Sequence, residues 1–309
     1  MDIWPTIQLI VDCLTGATYK GARQQTGKGN KPMLMQTKNT LAFDISGLSL
    51  AIQAQILGDS KNVSLFSRLP EKLLGLDTNA KTVKGERYGI KTAILYLMPA
   101  DGSGQQLCPM AETARCKAPC LFTAGRGAMS NVMLSRLRKT LYFNQYRNEF
   151  MAQLSREIAI YQRQAIRDGF KLVVRLNGTS DIRFENIALP LNGAPSIFEL
   201  HPDVQFYDYT KIANRKNIPG NYDLTFSYSG APAYAPFVSR AVANGERIAV
   251  VFRSRAVVDQ MLANNETFLG LPVVDGDDSD IRHLDPKGAI VALYAKGKAK
   301  KDTSGFVVG

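Results

Sequence analysis

Cys108, Cys116 and Cys120 stand in the stretch "CPMAETARCKAPC", a C-x7-C-x3-C arrangement that holds three of the four cysteines in the chain, the other being Cys13. Thiolates so close together can ligate soft metals or carry redox chemistry. Small buried hydrophobes that happen to be neighbours are one reading, but the segment is polar and is broken by Pro109 and Pro119, unlike a core run. Structural zinc favours C-x2-C knuckles and four ligands, and only His201 and His283 could complete the shell as imidazoles. A redox disulfide would favour C-x-x-C. An iron–sulfur cluster takes thiolates spread over an irregular loop, and three cysteines hold three irons of a 4Fe-4S cubane while the fourth iron stays open. Pro119 presses Ala118 toward an extended backbone, so the loop is expected to wrap a ligand. Arg115, Lys117 and Arg126 would favour thiolates there. The expected metal ligands are therefore Cys108, Cys116 and Cys120, around an iron–sulfur cluster with zinc as the alternative.

The elements that must position this loop follow from the hydrophobic pattern. "TAILYLMPA" (92–100) has strand composition and leads into it, and a helical pattern then runs from about Met129 to Asp168, stopped by Gly169. Beyond it, "FKLVVRLNG", "SIFEL" with "VQFYDYT", "YDLTFSYSG", "ERIAVVFRS", "TFLGLPVVDGD" and "GAIVALYAKG" read as strand regions. Helices interleave before "AVANG" and over "AVVDQMLAN". Strands alternating with helices predict an α/β fold of parallel β/α units, a partial, open TIM-like barrel. Residues 1–40 are read as a basic N-terminal extension and 41–309 as a single α/β domain with its cysteine loop at 108–120.

Functional residues of such folds gather at the C-terminal ends of the strands. Asn177, Ser180, Asp181, Asp208, Lys211, Ser227, Asp275 and Asp277 all follow strand patterns and are the expected cofactor-binding residues of a pocket beside the cysteines. "RLNGTSDI" also suits an ordinary capped turn. "DGDDSDIRHLD" is acidic but lacks the glycine of a calcium loop and suits a solvated loop with Arg282 pairing one carboxylate. "RLRKTLYFNQYRNEF" interleaves cations with aromatics, a pattern that could bind bases and phosphates, although helical spacing favours core packing.

The net charge of +11 calls for an anionic partner, with nucleic acid the expected one. The excess is local: residues 112–175 hold twelve basic side chains against four acidic. No run approaches the ~20 apolar residues of a membrane span, so no membrane partner is expected. The opening residues lack a basic n-region, so the chain reads as cytosolic. No phosphate loop is present, and no His-x-His pair accompanies the tyrosines.

"CPMAETARCKAPC", "VVRLNGTSD", "YDYTK", "YDLTFSYSG" and "VVDGDDSDIRHLDPKGAIVALYAKG" occur in order over roughly residues 90–309 and together resemble the gene-product-88-like domain family of phages and mobile elements. That resemblance implies a phage or plasmid origin and location in the host cytoplasm, without supplying a reaction. Three cysteines after the first strand of a β/α series also resemble the layout of radical S-adenosylmethionine enzymes, though not their C-x3-C-x2-C spacing. It implies S-adenosylmethionine as co-substrate and a nucleic acid or nucleotide as target. The expected function is thus an iron–sulfur protein of a mobile element, with a DNA- or RNA-binding protein, its cysteine loop zinc-bound or metal-free, as the alternative.

Overall fold

The computed structural model describes residues 41–76, 84–189 and 196–309. The N-terminal extension expected over 1–40, with Cys13, lies outside the described residues.

Two short helices lead in, α1 (Leu50–Leu57) and α2 (Ser60–Phe66), each started by a side chain that accepts a backbone N–H, Ser49 from Ile52 and Asp59 from Lys61. The strands follow as β1 (Leu74–Leu76), β2 (Ile90–Leu95), β3 (Lys171–Arg175), β4 (Gln205–Thr210), β5 (Tyr222–Ser227), β6 (Ile248–Phe252), β7 (Thr267–Phe268), β8 (Leu271–Asp275) and β9 (Ile290–Tyr294). They form one open sheet in the order β1-β2-β3-β4-β5-β6-β9-β8-β7. Pairing from β2 to β6, and on through β9 to β8, is parallel, while β1 and β7 are antiparallel edges. Each of β3 to β6 joins beside its predecessor, so this part of the sheet grows in one direction. The α/β class and the parallel sheet agree with the sequence reading, and the sheet is open.

The helical stretch 129–168 is two helices, α3 (Ser130–Gln145) and α4 (Arg147–Arg167), which meet at Tyr146, whose φ of −133° and ψ of 56° leave the helical region. No Pro or Gly marks the break. It lies within an edge-to-face cluster in which Phe143 and Tyr142 both meet Phe150, with ring centroids 5.2 and 5.4 Å apart. "SIFEL", expected as strand, is the helical turn α5 (Ile197–Leu200). The capping box of Ser196 and Glu199 satisfies the first backbone donors and overrides the β-rich composition. Helices α6 (Ala235–Ala243) and α7 (Arg255–Ala263) occupy the two remaining expected positions.

One core packs β1–β4 against α1–α5, with Phe66, Phe150, Phe184, Phe198 and Phe206 fully buried, each worth about 2–3 kcal/mol of burial. A second surrounds β5, β6 and β9 with α6 and α7, and Cys116 packs against it. Among the described residues no helix is long and apolar enough to cross a membrane.

Candidate functional site

Parallel pairing sets the cysteine loop after β2 at the same sheet edge as the segments that follow β3, β4 and β5. The backbone ties them further: Asp181 N–H donates to Leu107 O at 2.9 Å, and Ser229 Oγ donates to Ala114 O at 2.7 Å. Gly178 lies against β2, where a Cβ would stand 2.7 Å from Leu95 O, so glycine permits the close approach.

The polar residues of this edge face one another. β3 and β4 pair only at Val173↔Gln205 and Val174↔Phe206 and then diverge. Asp208, fully buried, fills the gap by accepting the N–H groups of Leu176 (3.1 Å) and Asn177 (3.0 Å) and the hydroxyl of Tyr222 (3.1 Å). Burial pushes its carboxyl up to about 6, against the pull of Arg175 and these donors. Asn177 Oδ1 accepts from Ser180 Oγ at 2.9 Å and from Ile182 N–H at 2.8 Å. Asp181 accepts from Thr210 Oγ1 at 2.9 Å and from Lys211 N–H at 2.8 Å.

Lys211 Nζ donates to the carbonyls of Ser227 (3.0 Å) and Tyr228 (2.7 Å) and lies 4.6 Å from the centre of the Phe306 ring. Ser227 thus contributes its carbonyl to the ammonium. The segment 302–309 covers this edge: Gly305 O accepts Gly230 N–H at 2.8 Å, and Val308 forms a parallel bridge with Phe252. Its own turn is organised by Asp302, which accepts Val307 N–H at 3.0 Å. Of the strand-end residues expected to line a cofactor pocket, Asn177, Ser180, Asp181, Asp208 and Lys211 hydrogen-bond to one another or to neighbouring backbone, with residues 302–309 packed on the same edge. The sequence carries no local sign of this cover. Nor does it reveal Arg215, Glu185, Tyr222 and Tyr234, which complete the network from distant segments.

Burial lowers the Lys211 ammonium to about 8, opposed by Cys116, Asp181 and Cys120. Because the folded state holds this proton less tightly than the unfolded chain, the protein loses stability as pH falls from about 10.5 to about 8, and the loss is complete below that. A shift of this size corresponds to roughly 3 kcal/mol. Urea unfolding of the wild type and Lys211→Met should show the wild type gaining on the variant between pH 7.5 and pH 10. Parallel pH profiles would contradict a depressed Lys211.

The cysteine chemistry expected from the sequence is overturned. Among the described residues, no group of three or more His, Cys, Asp or Glu side chains is disposed to hold a metal ion. This removes the iron–sulfur cluster, the zinc alternative, and with them the iron–sulfur enzyme using S-adenosylmethionine. Local contacts account for two of the thiols. Cys108 Sγ accepts Ala100 N–H at 3.3 Å and donates to Thr179 O at 3.8 Å, while Cys116 donates to Ala111 O at 3.9 Å. Burial pushes the Cys108 thiol up to about 12 and raises Cys116, so the neutral form is favoured where a ligand must be a thiolate. None of the three is disulfide-bonded. Neither histidine joins them: His201 meets Ser155 Oγ at 3.0 Å, and His283 lies beside the Tyr207 ring.

Asp275 and Asp277 are not brought to this network, since β8 stands four strands from β4. Partial burial opposes ionisation of Asp275, but the Arg255 guanidinium at 2.8 Å and Asp277 N–H hold its carboxyl below the ordinary value. Asp277 pairs with Lys296 at 2.6 Å. The cations of 136–150 are also structural in part. Arg138 donates to the carbonyls of Arg68 and Leu69, Lys139 to that of Leu73, and Leu137, Leu141, Tyr142 and Phe143 are buried.

The fold and its edge define an α/β protein with an open, mostly parallel sheet whose strand ends are occupied by its own polar network. Residues 71–309 match the protein family described as Gene product 88, and the chain belongs to that family. The match lends no support to a likeness with radical S-adenosylmethionine enzymes. No curated protein and no solved structure matches the chain.

Proposed function

We propose that this chain is a nucleic-acid-binding protein of a phage or related mobile element, with the cysteine loop serving as a metal-free structural wrap. The observation that carries this reading is a cationic excess that the fold does not neutralise. The net charge is +11. Many acidic groups are already engaged: Asp101 and Glu112 with Lys117, Asp168 with Lys91, Asp223 with Arg247 and Lys287, and Asp278 with Arg87. Exposed cations such as Arg115, Arg126, Lys298 and Lys300 stand outside any ion pair among the described residues. Such surfaces bind polyanions by releasing condensed counterions.

The test is fluorescence anisotropy of labelled duplex DNA and single-stranded RNA titrated with the full chain at several salt concentrations. With about five phosphates contacted on duplex, log K should fall with log salt at a slope near −4.5, several-hundred-fold between 50 and 200 mM. No binding to either nucleic acid at 50 mM salt and micromolar protein would sink the proposal.

A further inference from the structure

We infer that the nucleic-acid contact is a cationic patch assembled from two segments far apart in the chain, Arg115 and Arg126 beside the cysteine loop and Lys298, Lys300 and Lys301 near the end of the sequence. This rests on the nucleic-acid reading and gives that reading a place.

The two segments are joined by direct contacts. A single-turn helix, Gly297–Lys301, follows β9 and carries the three lysines. Lys298 N–H donates to Thr123 Oγ1 at 3.4 Å, and Gly297 lies so near Ala124 that a Cβ would stand 2.9 Å from its Cα. Gly297 also has φ of +57°, so glycine is required twice over at this seat. Arg126 belongs to the very next turn, Gly125–Ala128. On the other flank, Ser304 Oγ donates to Arg115 O at 3.2 Å. Arg253 fastens the end of the lysine turn to the chain beyond it, donating to the carbonyls of Lys300 (3.4 Å), Asp302 (2.8 Å) and Gly309 (2.6 Å). The lysines are therefore mounted on an anchored backbone, which lowers the ordering cost of binding.

All five side chains belong to exposed residues, and none is in an ion pair among the described residues. Nearby acids are turned away or neutralised. Asp302 is buried and accepts from Ser304 and Val307, Asp277 is held by Lys296, and Asp101 and Glu112 share Lys117. At about 2 Å rise per residue, the turn mounts the three lysines on about 6 Å of backbone. No large exposed aromatic stands among them: Phe122 is half-buried, and Phe306 is turned onto Lys211. The patch thus offers charge without stacking surfaces, so its ligand is the phosphate backbone, bound irrespective of base sequence.

A comparison region keeps the claim specific. Arg156, Arg163 and Arg167 form a second exposed basic stripe along α4, with Ile160 among them. It lies on one helix, is interrupted by an apolar residue that is half exposed, and Arg167 already approaches Asp168 at 3.5 Å.

The experiment measures binding of the full chain to a random duplex of about 20 bp, long enough for the ~5 phosphates expected, across 50–200 mM salt. It compares the wild type with K298Q/K300Q/K301Q, R115Q/R126Q and, as the control, R156Q/R163Q/R167Q. Circular dichroism verifies that each variant is folded. Losing three phosphate contacts should make the log–log salt slope about 3 shallower and weaken binding at least tenfold at low salt. R115Q/R126Q should lose about 2 from the slope, the control should bind like the wild type, and scrambling the duplex sequence should change nothing. Patch variants that bind like an active wild type, or loss confined to the α4 control, would overturn this placement and leave nucleic-acid binding standing. A wild type that ignores duplex and RNA but binds anionic vesicles would overturn both.

Discussion

Replacing Arg215 by Met is expected to cost the fold about 3–5 kcal/mol, the range for breaking a buried ion pair from one side. The guanidinium is only 2 % exposed and so is the Glu185 carboxylate beneath it. Arg215 Nε donates to Glu185 Oε1 at 3.0 Å, a second bond joins Nη2 to Oε2, and Nη1 lies 3.6 Å from Asp181 Oδ1. Methionine fills most of the volume but leaves Glu185 without its cation in a site where water cannot replace it. Asp181 keeps Thr210 and the Lys211 N–H, so Glu185 dominates the loss. The companion variant Arg215→Met/Glu185→Met should recover most of the stability, because removing both charges removes the desolvation penalty with the attraction. Urea unfolding at pH 7 measures both. A cost below about 1 kcal/mol for the single variant would place this pair among solvent-screened contacts.

Cys108 is expected to alkylate about a thousandfold more slowly in the native protein than in urea at the same pH. The thiolate is the reactive form, and burial carries the thiol from 9.0 up to about 12 with Asp181, Cys120 and Cys116 adding to the rise. Three pH units reduce the thiolate fraction near neutrality by about a thousand. Iodoacetamide labelling at pH 7.5, followed by peptide mass spectrometry, resolves Cys108 from the other cysteines. Native labelling at the denatured rate would mean that the loop opens freely or that the thiol is activated. The slow outcome agrees with a loop that wraps the sheet edge rather than one built to present thiolates.

Much of the fold was legible in the sequence because each element carries its own period. β2, β3, β4, β5, β6 and β9 stand where short β-rich runs stand, and α4 ends at Gly169, whose φ of +80° suits the stop. Two misreadings have local causes. "SIFEL" is rich in strand-forming residues, yet Ser196 and Glu199 satisfy the helix start reciprocally, and four residues are too few for a period to show. The break at Tyr146 has no glycine or proline, since it follows from packing Phe143 and Phe150 into one cluster.

The site was less legible because direction is not a property of spacing. By itself the sequence determined the α/β class, the parallel order that sets Asn177, Asp181, Lys211 and Ser227 at one edge with the cysteine loop, and the cationic excess. Only the tertiary structure decided what those groups face. Asp208 fills a gap between diverging strands, Lys211 reaches two carbonyls beneath Phe306, and Asp275 and Asp277 are claimed by Arg255 and Lys296. A polar residue at a strand end must satisfy its hydrogen bonds wherever burial takes it, with a ligand or with the protein. Composition cannot say which, because the partners arrive from segments up to about a hundred residues away.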